Sequence, residues 1–95
     1  KSCDLSIERA IEKIMTKSPY SYAINGRFVG GYITRKYGDP ENNVHTVQME
    51  ISQITYMSEN KKFSFNQNRA QKLQITLQEI INILLLWNPR RPIKE

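Results

Sequence analysis

Apolar residues recur along this chain with two periods, one near 3.6 and one of two. From residue 4 to about residue 17, Ile7, Ala10, Ile11, Ile14 and Met15 return every three or four positions. That spacing lines one face of a helix and leaves Glu8, Arg9, Glu12 and Lys13 on the wet faces. Asp4 or Ser6 would cap it. Ser18-Pro19 would close it, because the residue before proline avoids the α region. A longer helical pattern runs from Asn66 to about Trp87 through Ala70, Leu73, Leu77, Ile80, Ile81 and Leu84. Asn66 is its candidate N-cap, Asn88-Pro89 its stop, and Pro92 marks a frayed tail.

Between the helices the period changes. Tyr20 to Ile24 alternates aromatic or apolar with small residues and reads as a short strand, turned at Asn25-Gly26. Residues 26–43 read mostly as loop, with a short extended piece around Tyr32 to Thr34 and a polar turn cluster at 38–43. Val44 to Ile51 is the best strand candidate. It sets Val44, Thr46, Gln48 and Glu50 on one face and His45, Val47, Met49 and Ile51 on the other, the second face turned to a core. Residues 52–58 fit either a helical turn or continued strand, and Lys61-Lys62 a loop. The order helix, strand, Gly-rich loop, strand, helix predicts an α/β sheet with helices packed on it. Two strands make a poor independent sheet, so something else should supply the rest.

Composition sharpens this picture. Ninety-five residues make one small domain or a piece of a larger one. A chain of that size buries roughly 60–65% of its unfolded surface, a modest core. It begins at Lys1 rather than Met, as a fragment or processed chain would. The net charge of +5 fits either an anionic partner or an ordinary basic surface. The single cysteine, Cys3, excludes an internal disulfide and reads as an inert small side chain rather than a nucleophile. No signal-peptide pattern opens the chain. Its longest apolar run, Ile83 to Trp87, is far below the ~18–20 residues of a membrane span. The expectation is a soluble, cytoplasmic protein.

All four glycines fall between Gly26 and Gly38, beside Arg27, Arg35 and Lys36. Glycine lets backbone approach a ligand, and guanidinium forks beside such a loop converge on anionic oxygens. Arg27 and Arg35 would suit a substrate with two carboxylates. The stretch has neither GxGxxG nor a Gly-Lys-Ser/Thr phosphate loop. Phe28, Tyr32 and Tyr37 among the cations also fit a base-stacking surface, or an Ω-like loop with its rings turned inward. Glu50, at the end of an apolar strand, is either a solvated face residue or a general base. His45 is either a structural histidine or a ligand. One His and one Cys far apart make no zinc-ligand cluster, and no Ser/His/Asp arrangement stands out.

The ordered run Asn25-Gly26-Arg27-Phe28, Gly30-Gly31-Tyr32-Ile33-Thr34-Arg35, Tyr37-Gly38 with Pro40, then Val44-His45, Gln48, Glu50, Gln53, Tyr56-Met57 and Glu59 resembles the C-terminal part of the N-formylglutamate amidohydrolase (deformylase) family. The resemblance implies a fragment of an α/β/α fold similar to zinc carboxypeptidases, of the phosphorylase/hydrolase-like kind. It implies a zinc-dependent enzyme that cleaves the formyl amide of N-formylglutamate, giving glutamate and formate in histidine degradation. By the same resemblance Arg27 and Arg35 bind substrate carboxylates, with Gly30 and Gly31 in the loop over the substrate. Glu50 looks like the catalytic Glu that activates water, and His45 either supports the groups around the substrate or faces the substrate itself. Lys36 replaces a His common in the family, which puts that His's role in doubt here. The family's metal ligands belong to an N-terminal part that this chain lacks. The expectation is a C-terminal substrate-binding and general-base segment, inactive alone. Its partners would be a small dicarboxylate and the missing N-terminal part. The alternative is a non-catalytic remnant acting as an interaction module. Nucleic acid and membrane are not expected partners.

Overall fold

The first amphipathic stripe folds where its caps place it. In the computed structural model, which describes residues 2–25, 31–57 and 66–88, helix α1 spans Leu5–Lys17. The Asp4 carboxylate accepts from the Ser6 N–H at 2.9 Å, satisfying one orphan donor of the first turn. Glu8 in the first turn and Lys17 in the last complement the helix dipole. Ser18 is extended, as a residue before proline must be, and its N–H closes on the Met15 carbonyl at 3.1 Å.

Helix α3 spans Gln67–Leu86, with the Asn66 side chain accepting from the Arg69 N–H at 3.0 Å. Its buried line differs from the expected one. Ala70, Thr76 and Ile80 are buried and Leu73, Leu77 and Ile83 half-buried, whereas Ile81 is 50% exposed. Each residue turns about 100° around a helix. Packing through Ile80 and on to Trp87 therefore swings Ile81 out to solvent. The core joins Ile7 and Ile11 of α1 to Ile80 of α3, with Cys3, Ile14, Met15 and Trp87 packed against it. The Trp87 indole N–H donates to Ser6 Oγ at 2.8 Å, and that hydroxyl donates to Asp4 Oδ1 at 2.7 Å. The end of α3 is thereby tied to the start of α1.

The middle of the chain departs from expectation. Tyr20 to Ile24 forms no strand. Asn25 takes the left-handed backbone of a turn, φ 52°, and its amide donates to Glu8 of α1. The extended piece expected at Tyr32 to Thr34 is instead the start of a short helix, α2, Tyr32–Tyr37. Two flanking glycines overrule the β-leaning side chains. The Thr34 hydroxyl donates back to the Gly31 carbonyl at 2.8 Å, and the Gly38 N–H closes on Thr34 at 3.2 Å. A Cβ on Gly38 would lie 2.6 Å from that carbonyl oxygen and 2.7 Å from Ser2 Cα, so no side chain fits there. The polar cluster that follows is a turn, as its residues predict. A 3₁₀ turn at Pro40–Asn42 is closed by Asn43 at φ 63°, and Asp39 and Val44 exchange backbone hydrogen bonds at 2.7 and 3.0 Å.

Among the described residues, Val44 to Ile51, the strand expected to pack on a core, has one β-bridge, at Val44, and one further backbone hydrogen bond, from Thr46 to Ser2. Val47, Met49 and Ile51 are 43, 40 and 37% exposed. A 3₁₀ turn at Gln53–Thr55 follows, the helical one of the two alternatives, and Tyr56 accepts from the Asn66 N–H at 2.9 Å. Among the described residues there is no strand. The α/β layering predicted from the alternation is therefore absent from them, and two helices packed directly on each other take its place. Lys61-Lys62 and Pro92 lie outside the described residues. No helix among the described residues is long and apolar enough to cross a membrane.

Candidate functional site

Two connections bring the middle of the chain together. The first ties segment 43–46 to the N-terminus. The Thr46 N–H donates to the Ser2 carbonyl and the Ser2 hydroxyl donates to the Thr46 carbonyl, both at 2.8 Å. His45 lies between them and the helix ends. Its Nδ1 accepts from the Asp4 N–H at 3.0 Å, its Nε2 stands 3.0 Å from Asn43 Oδ1, and its ring meets Trp87 edge-on at 4.6 Å. Because a backbone N–H can only donate, Nδ1 is the bare nitrogen. In the neutral ring the proton sits on Nε2 and points at Asn43. Both nitrogens of this substrate-facing candidate thus have partners within the protein, and the structural reading of His45 describes them.

The second connection builds the candidate site. The Gly31 N–H donates to Gln48 Oε1 at 2.5 Å, and Gln48 Nε2 donates to Glu50 Oε1 at 2.5 Å. One amide thus bridges the end of the glycine loop to the candidate base. Gly31 is extended, and a Cβ there would stand 3.0 Å from Gln48 Oε1, so the glycine leaves room for that amide. Arg35 lies one helical turn along α2, its N–H donating to the Gly31 carbonyl at 3.1 Å, and its side chain is exposed. Lys36 reaches back over the rings of Tyr32 and Tyr37, 5.3 and 5.6 Å from their centroids. That cation–π contact gives Lys36 a local partner.

Glu50 and Gln48 are both exposed. The carboxylate keeps one oxygen on the Gln48 amide and is otherwise open to solvent. Arg27 and Gly30 lie outside the described residues. Gln48 was not among the expected site residues, although the alternating pattern contains its signal: it shares a face with Glu50, two positions on. Among the described residues no group of three or more His, Cys, Asp or Glu could hold a metal ion. With both His45 nitrogens partnered, the donor set present here does not fit the zinc that the resemblance implies.

The chain belongs to the N-formylglutamate amidohydrolase family, whose sequence model matches residues 1–57. It is 40% identical over 91 residues to the N-formylglutamate deformylase of Pseudomonas putida, and equally to that of Pseudomonas aeruginosa. Each match takes in 95% of this chain but 34% of the relative, so the chain spans about a third of the length of the curated relatives it matches. No solved structure matches it.

Proposed function

We propose that this chain is the C-terminal, substrate-binding and general-base portion of a zinc-dependent hydrolase that cleaves the formyl amide of N-formylglutamate or a related N-acyl amino acid. The deformylase activity named for its relatives supports the reaction class. The observation that supports the site is the Gly31–Gln48–Glu50 bridge, which links a carboxylate to Gly31 at the start of the α2 that bears Arg35. On this reading the Arg27 and Arg35 guanidinium groups hold the two carboxylates of the substrate, and Glu50 takes a proton from the attacking water. Charge-assisted bonds of this kind contribute about 1.5–3 kcal/mol each and fix the amide's position. The metal's ligands would come from residues outside this chain.

The test is Glu50→Gln in the full-length enzyme that carries this segment. We expect formate release to fall about 10²–10⁴-fold with substrate binding retained, the loss typical of a removed general base. Wild-type turnover in that variant would remove Glu50 from the mechanism. The second reading is a non-catalytic remnant acting as an interaction module. Absence of formate release from every protein that carries this segment would select it.

A further inference from the structure

His45 is the one imidazole of the chain and Trp87 its one indole, and the fold sets the two rings 4.6 Å apart. The imidazole stands where three parts of the chain meet: the cap residue of α1, the turn that ends at Asn43, and the residue that closes α3. Its contact with the Asp4 N–H, at 3.0 Å, exists in one protonation state only. A backbone N–H can only donate, so the bond needs a bare Nδ1. Protonation turns Nδ1 into a second donor. Two N–H groups then face each other across the same gap, and the Asp4 N–H loses this acceptor. The contact with Asn43 behaves otherwise. The Nε2 proton is present in both states, and Asn43 Oδ1 can accept it in both.

The charges around the ring are already engaged. Of its three partners, Asp4, Asn43 and Trp87, only Asp4 carries a titratable side chain, and its Oδ1 accepts from the Ser6 N–H and hydroxyl at 2.9 and 2.7 Å. Glu8, in the first turn of α1, accepts from the Asn25 amide. In the turn before His45, Asp39 accepts from the Asn42 amide at 2.7 Å and Glu41 is exposed. Cys3 packs against the core, and the last turn of α3 carries no charge. We propose that His45 is an acid-sensitive latch. Its neutral ring fastens residues 2–4 to residues 43–46, and its protonation undoes the fastening at Asp4 while leaving the ring on Asn43. The two Ser2–Thr46 bonds beside it involve no titrating group, so acid loosens the junction without dissolving it. An imidazole changes charge between about pH 8 and 5. Because the neutral ring makes the bond, the fastening is complete at the upper end of that range and is lost as the pH falls. The same segment leads on to Gln48 and Glu50, but the latch does not rest on the hydrolase reading.

Proton NMR of the 95-residue chain tests this, with Trp87 fluorescence as a second probe. The Asp4 amide resonance, the His45 ring resonances and the Trp87 emission should all change with one midpoint as the pH falls from 8 to 5. Protection of the Asp4 amide against exchange, corrected for the intrinsic effect of pH, should fall about tenfold over that range, as for the loss of one hydrogen bond. His45→Asn places an oxygen that does not titrate where Nδ1 stands, and its Asp4 amide should keep its protection from pH 8 to 5. His45→Ala should be as unprotected at pH 8 as the wild type is at pH 5. The α-amino group, Cys3 and the carboxylates titrate alike in all three proteins, so the difference belongs to the ring. An Asp4 amide that keeps its protection while His45 titrates overturns the proposal. So does an equal fall in His45→Asn, which would move the effect to another group. If His45→Asn fails to fold, the wild type decides, and separate midpoints for Asp4 and His45 overturn the latch. Trp87 emission at pH 8 identical to that in urea also overturns it, because the junction then does not form.

Discussion

Gln48 does more in this structure than its place in the sequence suggests. Its amide has one acceptor and two donors, and the structure uses one of each, toward Gly31 and toward Glu50. A hydrocarbon of similar size keeps neither bond. In the full-length enzyme, Gln48→Leu should lower kcat about tenfold with KM little changed, because it frees the base without touching the carboxylate clamp. An unchanged kcat would show that Glu50 needs no such support. Arg35 makes the complementary prediction. Arg35→Ala should raise KM for N-formylglutamate about tenfold or more, the loss of one charge-assisted pair. It should leave KM almost unaltered for an N-formyl amino acid without a side-chain carboxylate, and equal effects on the two substrates would dissolve the clamp. His45 contrasts with both. Its ring is a pin between the Asp4 N–H, Asn43 and Trp87, a role that spacing in the sequence could not separate from ligand chemistry.

At the scale of elements, the α1–α3 contact carries the fold. Ile7, Ile11 and Ile80 form the buried cluster, at 3, 6 and 5% exposure. Ile11→Ala removes buried methyl groups from a contact with little slack and should cost about 2–5 kcal/mol by chemical denaturation. A cost under about 1 kcal/mol would move the core elsewhere. Leu85 on the open side of α3, 79% exposed, is the control and should tolerate Ala. Helices α1 and α3 and the Asn66 cap were legible, with Asp4 one of two caps expected for α1, because a helix satisfies its backbone locally and writes its period into adjacent residues. The strands were not realised for the opposite reason. Tyr20 to Ile24 and Val44 to Ile51 have the right alternation, but a strand's hydrogen bonds come from another segment, and the described segments offer only Asp39 to Val44 and Ser2 to Thr46. At α2 the reading failed differently. Tyr32-Ile33-Thr34 leans toward strand by propensity, and the Thr34 back-bond with Gly31 and Gly38 at its ends decided for helix. Of the candidate site, the bridge through Gln48 was not legible, because it joins Gly31 to a segment 17 residues on.

The described residues form a small core in which three isoleucines, Ile7, Ile11 and Ile80, are buried together. No large side chain among the described residues is fully buried. A chain that hides little surface when folded exposes little more when it unfolds, and the denaturant slope measures that change. Small domains give urea slopes of about 1–3 kcal/mol per molar, and this chain alone should fall at or below about 1. Its unfolding should accordingly be broad. A catalytic site needs its groups held within about half an ångström, and on the proposed reading the rest of a larger enzyme would supply that rigidity to Glu50. Embedding the same residues in a complete amidohydrolase should therefore raise the slope and confer turnover together. A steep, cooperative urea transition from the isolated chain, with a slope near 2 kcal/mol per molar, would show a finished domain. It would remove the physical reason for assigning these residues to a larger enzyme.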